Sequence, residues 1–412
     1  MKALMQRTEW VARLLAACVL GAATARAREE APAPDAAAWV RGVNESGIAL
    51  FRREAGAAGN AVLSPWSLGT AMSMALAGAG GETAAEMAGV LALRPVLDRL
   101  DTAQAGARSV LSSLADAEGL DFASVQGLAL GPIGELVSDA FIERMQQRYE
   151  AEVFRTHPDG GPINAWVARN TRDRIPTIVD RQLPPNLVCV LLNAVYFKGL
   201  WADPFPPDRT REDLFRRPGA EPVRVPMMQR AGPYRIGADG GTRILELPYA
   251  GDRAVLMVAL PEADDGLDAL VAGLDADRAA RWLATLADEH PRPTDVRLPR
   301  FTIHAEYPGL RETYAAMGIR RAFSPNLAEF PHLTGRDEPG LVWISQIIHK
   351  AMIEVNEEGT EAAAATAVVV VTRSAPARPR TFHADRPFLF LLADRATGAV
   401  LFLGRVDDPS AD

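Results

Sequence analysis

Apolar positions in the first part of the chain recur three and four residues apart. That spacing predicts helices over residues 36–53, 67–76, 82–90, 97–116, 139–150 and 164–174. Small residues fill the second of these (LGTAMSMALA), and Ser64-Pro65 marks its start. The period then changes. Residues 188–197, VCVLLNAVYF, form an apolar run without alternation, which predicts a strand buried on both faces. Asn193 inside that run needs hydrogen-bond partners. Further strands are predicted over 223–228, 242–247, 253–260, 295–304, 349–356, 381–392 and 399–406, with a helix over 276–287 among them. Helices come first and strands mostly later, with no regular βαβ alternation and no repeat at a period of roughly 20–50 residues. That order predicts an α+β architecture. No Gly/Ser-rich linker interrupts the chain after residue 38. One domain over 39–412 is therefore expected, not the two or three that length alone suggests.

The N-terminus follows different rules. Lys2, Arg7 and Arg13 form a basic start, residues 14–23 (LLAACVLGAA) are apolar, and Ala25-Arg26-Ala27 is an A-x-A cleavage pattern. Residues 1–27 thus read as an export signal, and 28–38 (REEAPAPDAAA) as a flexible lead-in. The apolar run falls short of the roughly 18 residues a membrane span needs. Leu15-Ala16-Ala17-Cys18 offers a rival reading as a lipoprotein box. Simple export, to a secreted or periplasmic location, is the expectation. An Ala/Arg-rich composition behind such a signal suggests a bacterial source.

Composition narrows the function classes. The 412 residues carry 44 Lys+Arg against 52 Asp+Glu, a net charge of −8, with 48% hydrophobic and 23% charged residues. These are globular proportions, and the acidic balance argues against a general nucleic-acid binder. The two cysteines, Cys18 and Cys189, form no CxxC, and HExxH is missing too, so no metal or other cofactor is expected. Ser64 and Ser67 are the serines to weigh as hydrolase nucleophiles, but neither stands in a GxSxG or SxxK context. An enzyme is not expected.

Residues 357–380, EEGTEAAAATAVVVVTRSAPARPR, stand out from the rest. As a strand, one face of the Ala/Val run carries Thr360, Ala362, Ala364, Thr366, Val368 and Val370. That face has no charge and only small to medium side chains. Gly359 before it permits a hinge. Arg373-Ser374 and the alternating Pro and Arg that follow resist regular structure and suggest an exposed, cleavable end. An ordinary buried strand is the bland alternative.

Together with other motifs, these residues resemble the serpin family. The matches run from about residue 44 to 406. They include Asn60-Ala-Val-Leu-Ser64-Pro65-Trp66-Ser67, then Asn193-Ala194-Val195-Tyr196-Phe197-Lys198-Gly199-Leu200-Trp201, then Leu247-Pro248-Tyr249. His349-Lys350-Ala351 leads into the hinge Glu357, Glu358, Gly359, Thr360, Glu361, Ala362, Ala363, Ala364, Ala365 and Thr366. Ala384-Asp385-Arg386-Pro387-Phe388 and Leu403-Gly404-Arg405-Val406 close the pattern. Residues 126–131 depart from it, reading GLALG where the family has A-N-x-L-F.

The resemblance implies a large, mostly antiparallel central sheet that accepts an inserted strand, further sheets, about eight to nine helices and an exposed reactive loop at about 357–380. It implies a suicide inhibitor. A protease cuts the loop, and the freed segment inserts into the sheet with the protease still attached as an acyl-enzyme. Family spacing from Glu357 puts the reactive bond at Arg373–Ser374, with Arg378 and Arg380 as decoys. Arg373 implies a trypsin-like, Arg-specific serine protease as partner. The resemblance also marks Ser64, Ser67, Asn193 and His349 as a polar shutter cluster beneath the sheet. It marks Trp201 as a residue of the breach at the sheet's top, with Arg300 pairing Glu357. No cofactor, nucleic acid or membrane partner is expected. The expected state is a monomer prone to polymerise. A non-inhibitory binding or chaperone module of the same family is the alternative, and a secreted serine hydrolase a weaker one.

Overall fold

The structure is a computed structural model describing residues 32–56, 59–179, 182–360 and 379–411. The signal-like segment 1–27 with Cys18 lies outside the described residues, as do Glu361, Ala362, Ala363, Ala364, Ala365, Thr366, Arg373, Ser374 and Arg378. Residues 32–411 belong to one compact unit. The chain opens with the helix Pro34–Glu54, which begins inside the stretch expected to be a flexible lead-in. Pro34 suits a first helical position, Asp35 pairs with Arg99 at 2.7 Å, and Ala36 and Trp39 are buried.

Sixteen strands follow in chain order among the described residues. The first eight are β1 (Ala61–Leu63), β2 (Leu120–Leu130), β3 (Glu152–Arg155), β4 (Cys189–Leu200), β5 (Arg211–Phe215), β6 (Val223–Tyr234), β7 (Ile236–Asp239) and β8 (Thr242–Pro248). The rest are β9 (Ala254–Pro261), β10 (Arg292–Pro299), β11 (Phe301–Tyr307), β12 (His349–Val355), β13 (Gly359–Thr360), β14 (Arg380–His383), β15 (Phe388–Asp394) and β16 (Val400–Val406). They form a central sheet in the order β11-β12-β13-β4-β2-β3, a sheet β1-β16-β15-β9-β8-β7 and a smaller sheet β14-β10-β6-β5. The central sheet is antiparallel except for β2 with β3. Ten α-helices stand among the described residues. That exceeds the expected eight to nine because two are short, Leu267–Ala272 and Pro331–Thr334.

Continuous apolar runs mark where the core sits. Every residue of β9, β15 and β16 is buried. The helix Pro65–Gly78 lies in the same core and packs against β4 and β16, with Trp66 edge-on to Trp39 at 5.1 Å. Its first turn is fixed by Ser64, whose side chain accepts the Ser67 N–H.

Several expectations need correction. Residues 295–304 are two strands, because the chain leaves the small sheet after Pro299 and enters the central sheet at Phe301. Residues 381–392 likewise divide between the small sheet and the core sheet, with Asp385-Arg386-Pro387 at the crossing. Third, β4 is not buried on both faces. Leu192 and Ala194 pack with Ile163, Trp166 and Val167 of the helix Gly161–Asn170, while Leu191, Asn193 and Val195 are half-buried. That helix is also shorter than predicted, ending before Arg172 and Asp173, whose φ values are +50° and +61°.

Candidate functional site

The central sheet is joined across its middle in an unusual way. Among the described residues, β4 and β12 meet only through Gly359 and Thr360 of β13. Thr360 pairs with Val355 on one side and Gly199 on the other, and Gly359 pairs with Leu200. Glycines on both strands, Gly359 and Gly199 one position apart in register, make this approach possible. A Cβ on Gly359 would sit 1.8 Å from the Gly199 carbonyl oxygen, so any side chain there would force the strands apart. Thr360 is buried, and its hydroxyl lies 2.5 Å from the Tyr249 hydroxyl. Burial holds the Tyr249 phenol well above its ordinary range, so it stays neutral and can share that hydrogen bond.

An aromatic floor supports the hinge. Tyr249 stacks on Trp201 at 4.5 Å and meets Phe197 edge-on at 5.0 Å. Trp201 in turn donates its indole N–H to the Asn356 carbonyl at 2.9 Å. The backbone N–H groups of Trp201 and Phe205 donate to the carbonyls of Glu358 and Glu357, each at 2.8 Å. The turn leading out of β12 is thus fastened by main-chain bonds before any side chain is counted.

Glu357 clamps the same turn. Its carboxylate accepts from Thr210 at 2.6 Å and from Arg300 at 2.5 Å. Burial alone would raise its pKa. The hydrogen bonds from Arg300 and Thr210 outweigh that and hold it below the ordinary carboxylate value. The Glu357 side chain is only 8% exposed whereas Arg300 is 49% exposed, so one partner is desolvated and the other is not. Glu358 has its N–H accepted by the Asn356 side chain at 3.1 Å.

Lower in the sheet, a cleft of about 40 Å³ lies between β4 and β12. Ser64, Ser67, Val195, His349 and Ala351 line it, with Thr171, Arg174 and Ile175 from the turn after the helix Gly161–Asn170. The structure brings Ser64, Ser67, Asn193 and His349 together here. His349 Nε2 accepts the Ser64 N–H at 3.1 Å, and Ser67 Oγ donates to the Asn193 carbonyl at 3.4 Å. The Asn193 side chain turns the other way, donating at 3.4 Å to Ser124 and to the Val125 carbonyl on β2. Its Oδ1 is buried without a partner among the described residues. Burial pushes the His349 pKa down to about 4, so the ring is neutral and able to accept. The turn 171–175 ties both banks of the cleft: Arg172 pairs with Asp121 of β2 at 2.6 Å and lies over Tyr196 of β4, while Arg174 approaches Glu354 of β12 at 3.6 Å.

Sequence reasoning placed Glu357, Gly359, Thr360, Trp201 and Arg300 in one region, and they do meet. It gave no role to Tyr249, Thr210, Gly199 or Ser124. Tyr249 and Gly199 lie in stretches that match the family pattern, but nothing in sequence distance puts either beside the hinge. Arg380 is placed differently from the expectation. It opens β14 and pairs with Thr294, so it stands in a strand and not in an exposed loop.

Comparison with known proteins agrees with this geometry. The family model described as "Serpin (serine protease inhibitor)" matches residues 41–409. The chain is 35% identical over 381 residues to an uncharacterized serpin-like protein of Thermococcus kodakarensis, covering 90% of this chain and 85% of that one. It is 34% identical over 373 residues to intracellular coagulation inhibitor 2 of Tachypleus tridentatus, covering 88% and 89%. Among solved structures, human thyroxine-binding globulin is similar with a TM-score of 0.78 and 26% identity, covering 92% of this chain and 100% of that one.

Proposed function

This chain belongs to the serpin family, and we propose that it is an exported suicide inhibitor of trypsin-like serine proteases, cut between Arg373 and Ser374. The observation that carries the reading is the hinge. Gly359 and Thr360 already occupy a strand position between β12 and β4, with Thr360 facing inward onto Tyr249. Continuing the two-residue period from Thr360 turns Ala362, Ala364, Thr366, Val368 and Val370 to the same inner face. No charge would have to be buried along that path.

In the proposed reaction, the protease serine oxygen attacks the Arg373 carbonyl. The ester bond forms, the peptide bond to Ser374 breaks, and the Ser374 amine leaves with the proton from the serine. Insertion of residues 361–371 between β4 and β12 then carries the acylated protease along before water can cleave the ester. The polar residues around the cleft would hold the strands near their resting separation until the segment arrives. The protein would act as a monomer, with insertion into a second copy as its route to polymers.

Incubation with trypsin tests the reading. The expected result is an SDS-stable complex at the summed mass less that of a released C-terminal fragment starting at Ser374. A cleaved chain without complex would favour a non-inhibitory binding module. That second reading draws on the likeness to thyroxine-binding globulin.

A further inference from the structure

We propose that Arg243 and Arg380 form a binding site for an oxyanion, a sulfate or phosphate group, where β8 meets β14. Arg243 donates to the Thr381 carbonyl and lies over the Phe382 ring at 5.3 Å. Arg380, the neighbouring residue on β14, donates to the Tyr234 carbonyl at 3.1 Å, and its Nε is buried without a hydrogen-bond partner among the described residues. Each guanidinium therefore spends one donor on a backbone carbonyl and keeps others available.

The charge balance makes the pair unusual. Arg386 stands nearby but is matched by Asp385 at 3.0 Å and Asp264 at 3.6 Å. Neither Arg243 nor Arg380 forms an ion pair with any carboxylate among the described residues, although Glu262 acts on Arg243 from farther away. Both are half-buried. Burial, followed by repulsion from Arg380 and Arg386, lowers the Arg243 pKa from its ordinary value. Two like charges held together in a partly desolvated place are costly, and an oxyanion bridging them removes that cost. Arginine suits such a ligand because its fork of donors matches the oxygens of sulfate and phosphate. A bound anion would also tie β14, the strand that follows the loop, to β8.

The test is calorimetric titration of the full chain with sodium sulfate and, separately, sodium phosphate, at an ionic strength held constant with chloride. One saturable site is expected, weakened about tenfold or more in Arg243→Gln and in Arg380→Gln, since a lost charge-assisted bond is worth about one decade. Arg243→Lys keeps the charge and should retain part of the binding. Arg148→Gln, an exposed arginine on the helix Asp139–Tyr149, should change nothing. A sulfated monosaccharide as a further probe separates free anion from sugar-borne sulfate. Sulfate at high concentration stabilises proteins generally, so melting is compared between wild type and Arg243→Gln in the millimolar range. Absence of saturable binding, or equal binding in wild type and both Gln variants shown folded by near-UV circular dichroism, overturns the site.

Discussion

At the scale of single residues, Thr360 would decide, on the proposed mechanism, whether the sheet can take up a strand. Thr360 is buried and shares a hydrogen bond with Tyr249. Thr360→Arg would bury an unpaired charge against an aromatic floor, a cost of several kcal/mol. The variant should still be cut after Arg373 but release the protease, so that gels show cleaved chain and no stable complex. If it still traps trypsin, insertion is not the trapping step. His349 sets an acid limit. Its folded pKa of about 4 lies below the ordinary 6.5, so the unfolded chain binds the proton more readily. Above pH 6.5 this group costs nothing. As pH falls from 6.5 to about 4, the native state should lose up to about 3 kcal/mol, and below that no more. Urea midpoints measured across that range check the slope. His349→Gln, which can still accept from Ser64, should flatten it.

Elements explain why the turn out of β12 behaves as a fastening. Main-chain bonds from Trp201 and Phe205 hold it, and Glu357 bridges it to Thr210 and Arg300. Because Arg300 is half exposed, the ion pair itself contributes little, and most of the effect comes from leaving Glu357 bonded where it is buried. Glu357→Ala should loosen the hinge and speed spontaneous loss of trypsin inhibition on mild warming several-fold. An unchanged decay would remove Glu357 from the gate. These elements were unequally legible in sequence. The Ser64-Pro65 helix start and the β9 run carry local signals, and each forms what its pattern predicts; the Ala-rich part of the hinge lies outside the described residues. The crossings at Arg300 and at Asp385-Arg386-Pro387 carry none, because a chain that moves between sheets keeps the extended backbone of a single long strand. The polar content of β2, LDFASVQGLAL, likewise hid the strand that pairs with β4 along its whole length. Asn193 was legible as a buried amide but not as one that turns toward Ser124, since that choice depends on which neighbouring strand lies closer.

For the whole molecule, the question is where the lowest free energy lies. Among the described residues, β4 from Cys189 to Lys198 and β12 from His349 to Glu354 face each other without a strand between them. An inserted strand of about ten residues would form on the order of ten backbone hydrogen bonds, each contributing about 0.5–1.5 kcal/mol net, or roughly 10 kcal/mol in all. The native form can persist above such a minimum only behind a kinetic barrier. On the proposed mechanism, cutting the loop would remove that barrier, because the segment would then be free at one end and would no longer have to drag β14 with it. Calorimetry on chain nicked after Arg373 should therefore show a melting temperature higher than that of intact chain by at least about 10 °C, given the entropy of unfolding for a chain of this size. The comparison needs the same pH for both forms, since His349 lowers the stability of each below pH 6.5. With Thr360→Arg the rise should vanish while cleavage remains complete, which separates the gain of a strand from the mere release of a strained loop. If nicked and intact chains melt together, the sheet has no vacancy to fill and the energetic basis of trapping is lost.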